Sequence, residues 1–223
     1  MIKIDIEEVI NGKIQGVNYK YISQWDLDME KSWPLRETND HRLKDERLKH
    51  RDVVWQAPLP GWLKLNFDGE SKGNQGRSGL GAIVWDEFRD TLKAFSGPVG
   101  IATNNVAEIS ALEVGLKWCA FKRINKLVIE GESQVILNWI SSSKFQNWQL
   151  DNWTPRIKTF LDLIGDFHIQ HVYRERNKVA DVLANLGVEE SIVREFDSRD
   201  ALPEAVQNII SQERDLTPRQ GIG

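Results

Sequence analysis

Cysteine is nearly missing from these 223 residues: Cys119 stands alone, which excludes an intrachain disulfide framework and a thiolate zinc site. Cys119 falls with Ile109, Leu112 and Leu116 on one face of a helical pattern, so it reads as a buried core thiol and not as a redox centre. No apolar run reaches membrane-spanning length, which argues against a membrane partner. The start, Met1 to Ile10, carries acids at Asp5, Glu7 and Glu8 where a signal peptide would have a basic end and a long apolar run. An intracellular, reducing compartment is the resulting expectation, without a choice between nucleus and cytoplasm. A basic excess is also missing. The net charge of −4 argues against a general polyanion binder. There is no internal repeat and no low-complexity tract.

What is present is ordinary in bulk and specific in detail. Hydrophobic content of 40% and charged content of 28% suit one well-buried globular core with extensions. Within it, four acids occupy four different kinds of segment. They are Asp68 in Leu65-Asn66-Phe67-Asp68-Gly69, Glu108 in Thr103-Asn104-Asn105-Val106-Ala107-Glu108, Glu132 in Ile129-Glu130-Gly131-Glu132-Ser133-Gln134, and Asp181 in Asn177-Lys178-Val179-Ala180-Asp181. Carboxylates gathered in one place repel one another unless cations lie between them, so the pattern points to a divalent-metal site. Oxygen ligands without neighbouring His or Cys favour Mg²⁺ or Mn²⁺ over zinc. From residue 58 to 190 the chain has 15 Lys and Arg against 16 Asp and Glu, and four of those acids belong to the cluster. With two ions bound, the cleft would be neutral or positive where a phosphate must sit.

Periodicity orders the segments. Leu63, Leu65 and Phe67 alternate with Lys64, Asn66 and Asp68, a strand with Asp68 on the face opposite its apolar set. A turn-rich stretch from Gly69 to Gly79 precedes strands at residues 81–85 and 91–95, forming an antiparallel meander. Helical spacing runs from Asn105 to Phe121, a β-branched strand from Lys126 to Glu130, and helices from Gln134 to Ile140 and Trp153 to Ile164. A fifth strand, Phe167 to Tyr173, and a helix, Asn177 to Leu186, complete the order. The order β-β-β-α-β-α-α-β-α predicts an α/β fold with a mixed five-stranded sheet flanked by helices.

With the segments in this order, residues from about 60 to 190 resemble ribonuclease H, type 1, and more closely the ribonuclease H-like domains of plants and plant retrotransposons. The resemblance rests on Asn66-Phe67-Asp68-Gly69, Lys72-Gly73-Asn74-Gln75-Gly76, Thr103 to Glu108, Glu132-Ser133-Gln134 and Arg174 to Asp181. It implies a ribonuclease H-like fold and an endonuclease that cuts the RNA strand of an RNA–DNA hybrid with two Mg²⁺ or Mn²⁺ ions, leaving a 5′ phosphate. Asp68, Glu108, Glu132 and Asp181 would be the catalytic metal ligands, Asp68 bridging two ions about 3.5–4 Å apart. The backbone of Gly73 and Asn74, with the side chains of Asn74, Asn104 and Gln134, would read the 2′-hydroxyls of the RNA strand. Thr103 would hold a phosphate of the DNA strand.

Plainer readings stand beside these. Asn105 and Glu108 have capping-box spacing, and Asp68-Gly69 is a common turn pair. The glycines of residues 73–79 suit a hairpin. Trp139, Trp148 and Trp153 are more often core than stacking platforms.

Three departures from the family bear on activity. Glu132 stands where the third acid is usually Asp, and Glu130 lies on the same strand face as a partial substitute. Residues 141–152 carry only Lys144 as a base, where some members have a basic protrusion. The loop from Tyr173 to Asn177 is short and offers no mobile histidine, His171 belonging to the strand. Weak binding and slow turnover follow. The expected organisation is an N-terminal extension over 1–57, partly helical, the ribonuclease H-like domain over 58–190, and a tail over 191–223 with a short helix from Pro203 to Gln212. The extension includes the mixed-charge stretch Arg42 to Arg51, read as a solvated helix face. The chain is taken as a monomer. The alternatives to a hybrid-specific nuclease are a catalytically weak or inactive nucleic-acid-binding domain derived from a retroelement, and a protein-interaction module built on the flanks.

Overall fold

A computed structural model describes residues 55–141 and 152–215. The expectations for Arg42 to Arg51, Lys144 and Trp148 lie outside these residues.

The chain order is β1 (Leu63–Ser71), β2 (Gly76–Trp85), β3 (Thr91–Ala102), α1 (Asn104–Phe121), β4 (Lys126–Gly131), α2 (Gln134–Ser141), α3 (Thr154–Ile164), β5 (Asp166–His171), α4 (Lys178–Gly187), β6 (Arg194–Phe196) and α5 (Glu204–Asp215). The strands lie in one sheet in the order β5-β4-β1-β2-β3-β6. β1, β2 and β3 form the expected antiparallel meander. β4 adds to β1 in parallel, and β5 adds to β4 in parallel.

Five strands were expected, and the described residues form six. The addition is β6, which pairs antiparallel with the outer edge of β3, Phe95 facing Glu195. Three residues are too few to announce a strand by alternation. The turn-rich stretch is also shorter than its composition implied: β1 runs to Ser71, β2 begins at Gly76, and only the residues between them turn. Gly73 and Asn74 take positive φ there, 91° and 56°, which glycine and asparagine tolerate better than other residues.

β1 lies at the centre and is buried on both faces. Leu65 and Phe67 are fully buried on one side, Leu65 against the α1 helix at Gly115. The other side was expected to be polar, and it is polar yet also buried, with Lys64, Asn66 and Asp68 at 3%, 2% and 7% exposure. α4 covers it, and Gly81 and Gly79 permit the close approach: a Cβ at Gly81 would lie 2.3 Å from the Ala180 carbonyl oxygen. Cys119 is buried in α1, and burial pushes its thiol up to about 12. Trp139 is core at 4% exposure, whereas Trp153 is half-buried.

The segments on either side of residues 58–190 contribute to the same core. Trp55, Phe196, Leu202, Val206 and Ile210 are buried in one cluster with Ile83, Trp85, Ala94, Val179 and Leu183. The helix expected from Pro203 is α5, and the Pro203 carbonyl accepts from the Val206 and Gln207 amides. Among the described residues, no helix is long and apolar enough to cross a membrane.

The burial of Phe196 at 4% exposure generates a prediction. Phe196→Ala should destabilise the protein by about 3–5 kcal/mol, the usual loss for a buried phenyl ring. Denaturant unfolding checks this, and a loss under about 1 kcal/mol would mean that β6 is not part of the cooperative core.

Candidate functional site

The register of the sheet brings the acids together. In the parallel pair Asn66 lies beside Glu130, so two residues further along Asp68 and Glu132 come out at the same end. β1 is also where the sheet changes sense, with a parallel neighbour on one side and an antiparallel one on the other. In α/β sheets, ligands bind at the carboxyl ends of strands at such points. The Asp68-Gly69 pair is not a turn, since both residues pair with β2, opposite Gly81 and Leu80. Gly69 is needed because α1 presses on it: a Cβ there would lie 2.1 Å from the Glu108 amide nitrogen. Lack of a side chain at Gly69 thus seats Glu108 next to Asp68.

The helix starts supply the other two positions. Thr103, not Asn105, caps α1, its hydroxyl accepting from the Val106 amide. The capping-box reading of Glu108 therefore fails, and its side chain is left to the site. Asp181 lies in the first turn of α4, where the helix dipole favours negative charge.

Electrostatics show that the four acids sense one another. Burial first, then the charges of Glu132 and Asp181, push the Asp68 carboxyl up to about 8. Burial, then Asp68 and Glu132, hold Glu108 well above the carboxylate range. Glu132 is raised by burial, with the Asn177 amide and Arg174 pulling it back and Asp181 and Glu175 adding to the rise. One buried oxygen of Glu108 and one of Glu132, Oε2 and Oε1, have no hydrogen-bond partner. A buried carboxylate oxygen without a donor is costly, and a hard divalent cation is the partner its chemistry suits. Among the described residues, however, no three of these side chains converge to chelating distance. Arg174 Nη2 donates to Asp181 Oδ1 at 2.5 Å. Its guanidinium also lies in the field of Glu132 and Asp68.

Two residues of this neighbourhood carry no role in the sequence analysis. Arg174 and Asn177 lay within the quoted motif, and an arginine three residues before the Asn of an Asn-x-x-x-Asp turn is a signal that could have been used. Glu130 was read as a partial substitute for Glu132. It cannot be one, because it is fully buried and bound to Lys64 Nζ at 2.6 Å and Asn66 Nδ2 at 3.0 Å.

Two of the residues expected to touch nucleic acid, Asn74 and Asn104, meet at one exposed rim. Gly73, Asn74, Asn104 and Gln134 are exposed, and Thr103 is half-buried. Asn74 Oδ1 accepts from the Asn104 amide at 3.2 Å, which ties the β1–β2 turn to the start of α1. Gln134 donates to Asn138 one turn along α2 at 2.7 Å. His171 ends β5, with Nε2 3.1 Å from the Glu132 carbonyl oxygen.

Residues 66–187 match the family model described as reverse transcriptase-like. An Arabidopsis thaliana protein whose name assigns it provisionally to ribonuclease H is 29% identical over 163 residues, covering 73% of this chain and 26% of its own length. The chain thus spans about a quarter of that relative. Ribonuclease HI of Halobacterium salinarum is 29% identical over 140 residues, 62% of this chain and 70% of its own length. The crystal structure of that archaeal enzyme aligns over 57% of this chain and 98% of its own, with a TM-score of 0.53 at 28% identity. A ribonuclease H1 called LC11, solved in complex with an RNA/DNA hybrid, aligns over 57% of this chain and 96% of its own, with a TM-score of 0.53 at 27% identity.

The raised carboxyls predict how stability depends on pH. A carboxyl whose folded value lies above its unfolded one keeps its proton longer in the folded protein. It therefore favours folding at low pH, and this advantage disappears as pH rises toward the folded value. For Asp68 the window runs from 3.8 to about 8. Cation-free protein should lose stability between pH 5 and 8, with a slope approaching about 1.4 kcal/mol per pH unit for each group held protonated. Glu213, pushed up to about 7 chiefly by burial, adds in the same direction. Thermal unfolding against pH checks this: Asp68→Asn should flatten the profile and saturating Mg²⁺ should lift its high-pH end, whereas a profile that neither alters contradicts the reading.

Proposed function

The chain belongs to the reverse transcriptase-like family of ribonuclease H-type domains, and we propose that it cleaves the RNA strand of RNA–DNA hybrids in a reaction dependent on Mg²⁺ or Mn²⁺. The observation that carries this reading is the set of four mutually repelling carboxylates around Asp68 of β1, two of them with buried oxygens lacking a donor. The ribonuclease H names of the relatives and the hybrid bound by LC11 support the substrate class.

Asp68, Glu108, Glu132 and Asp181 are the residues that would hold the ions. Two bound divalent ions would supply an activated water and charge stabilisation at the leaving oxygen. The protein's own part is positional. β1 and β4 present Asp68 and Glu132 side by side, while α1 and α4 bring Glu108 and Asp181 from the two faces. At the rim, Asn74 uses its oxygen on the Asn104 amide, so its NH₂ is the end able to donate to a ribose hydroxyl. Backbone at Gly73 and the side chains of Asn104 and Gln134 extend that contact along the minor groove. Thr103 lies where the DNA strand's phosphate would meet the start of α1.

A weakly catalytic, binding-dominated form of the same domain is the second reading. It is favoured by the Arg174–Asp181 ion pair at 2.5 Å, which occupies one of the two Asp181 oxygens, and by glutamate at position 132.

Cleavage of a labelled hybrid tests the proposal. The RNA strand should be cut to 5′-phosphate products with Mg²⁺ or Mn²⁺, and Asp68→Asn should abolish cutting while keeping the residue's shape. Residual cleavage by a pure Asp68→Asn preparation, or equal cutting of duplex DNA, would reject it. Glu132→Asp is the second measurement. The extra methylene shifts the carboxylate, and a misplacement of about 1 Å can cost on the order of 10²-fold in rate. Glu132→Asp should therefore speed the Mg²⁺ reaction, and more so than the Mn²⁺ reaction; a slower variant means the centre has adapted to glutamate.

A further inference from the structure

Asn66 sits behind the acidic centre, 2% exposed, with its whole hydrogen-bonding capacity used. Its Oδ1 accepts from the indole Nε1 of Trp55 and from that of Trp85, both at 3.1 Å. Its Nδ2 donates to Glu130 Oε2 at 3.0 Å and to Asn177 Oδ1 at 3.2 Å. An asparagine amide has two acceptor and two donor places, and all four are taken. The indoles only donate, so they also fix which end of the amide is oxygen.

The partners are placed in a regular way. Asn66 precedes Asp68 by two residues on β1, and Glu130 precedes Glu132 by two residues at the end of β4. Asn177 precedes Asp181 by four, and its carbonyl accepts from the Asp181 amide at 3.0 Å. With its oxygen turned to Asn66, Asn177 has its Nδ2 free to donate to the Phe67 carbonyl at 3.0 Å, the peptide joining Phe67 to Asp68. One amide thus cross-links three elements, each carrying an acid of the centre one turn or one pleat away. The indole that completes it, Trp55, lies before the family-matched region of 66–187. Its neighbour Gln56 supplies the carbonyl that accepts from Lys64 Nζ at 2.6 Å, and Lys64 in turn pairs with Glu130 at 2.6 Å.

We propose that Asn66 is the positioning residue of the acidic centre, setting Asp68, Glu132 and Asp181 relative to one another through Glu130 and Asn177, and that Trp55 makes the segment before the family-matched region part of that device. The inference rests on the proposed metal-dependent reading of the four acids. Outer residues that orient metal ligands commonly change metal affinity 10–100-fold when altered. Fixing the backbone that carries the carboxylates leaves only side-chain adjustment for cation binding to accomplish.

The test uses the full chain and Mn²⁺ binding by calorimetry without nucleic acid. Asn66→Asp keeps both indole bonds and removes both donors, and its Mn²⁺ Kd should rise about 10–100-fold. The double variant Trp55→Phe/Trp85→Phe keeps aromatic rings in the core and frees the amide to turn, so its Kd should rise in the same direction. Val206→Ala, in the same core cluster but outside the network, controls for loss of stability and should bind Mn²⁺ as the wild type does. In hybrid cleavage the Asn66 variant should lose kcat while KM stays within about twofold, because the rim residues are untouched. Unchanged Mn²⁺ affinity in the folded variants, or an equal loss in Val206→Ala, overturns the proposal. If Asn66→Asp does not fold, the double tryptophan variant decides alone, and wild-type affinity there overturns it. A wild-type chain that binds Mn²⁺ and cuts nothing removes the nuclease reading and leaves the positioning role standing; one that binds no Mn²⁺ overturns both.

Discussion

A central strand buried on both faces can carry polar residues only if each of them is answered. β1 carries three on the side facing α4, and the surrounding fold is arranged to satisfy them. Lys64, whose ammonium is disfavoured first by burial and supported by Glu130, pairs with that carboxylate, which Arg176 also approaches at 4.0 Å. Replacing such a pair with apolar residues is often no less stable, whereas breaking one side of it is costly. Asn66 is answered by two indoles, a carboxylate and an amide. Asp68, at the open end, has a backbone hydrogen bond at Gly69 but faces three acids. The strand thus runs from a satisfied charge pair, through a satisfied amide, to a carboxylate whose neighbours raise its energy, and only the last is in a position to use a cation.

Arg174 changes the meaning of the short loop before α4. The loop has no mobile histidine, but it does place a guanidinium, 65% exposed, on Asp181. An exposed ion pair of this kind contributes little to stability, so its interest lies in competition. Arg174 occupies Asp181 Oδ1, and its positive charge offsets part of the repulsion among the acids.

The C-terminal segment shows why family boundaries and folding boundaries differ. The matched region ends at residue 187, yet Phe196, Leu202, Val206 and Ile210 fill the layer over α4 and the β2–β3 sheet. Without them Ile83, Trp85 and Leu183 would face water. The four acids lie within the matched residues, and the burial is shared with the flanks.

How much of this was legible in the sequence follows the range of each interaction. Alternation at residues 63–68, the helical spacing after Asn104 and the β-branched run before Glu132 are local, and they placed α1 and β4 closely and the meander in the right order, although β2 starts earlier, at Gly76, and β3 runs on to Ala102. The four acids were legible because each sits beside a local signal: a glycine, a helix start, a strand end. β6 was not, being three residues stabilised by an edge that only the folded sheet provides. The capping residue of α1 shifted from Asn105 to Thr103 because the helix begins where β3 releases the chain, a tertiary matter. Least legible was the network around Asn66, whose partners lie 11, 19, 64 and 111 residues away. The sequence by itself determined which residues carry the oxygen donors and which segments hold them, since those depend on side-chain chemistry and near-neighbour spacing. Only the tertiary structure decided that Glu130 faces inward, that Arg174 covers Asp181 and that Trp55 closes on Asn66, because burial and hydrogen-bond geometry exist only once distant segments share one interior.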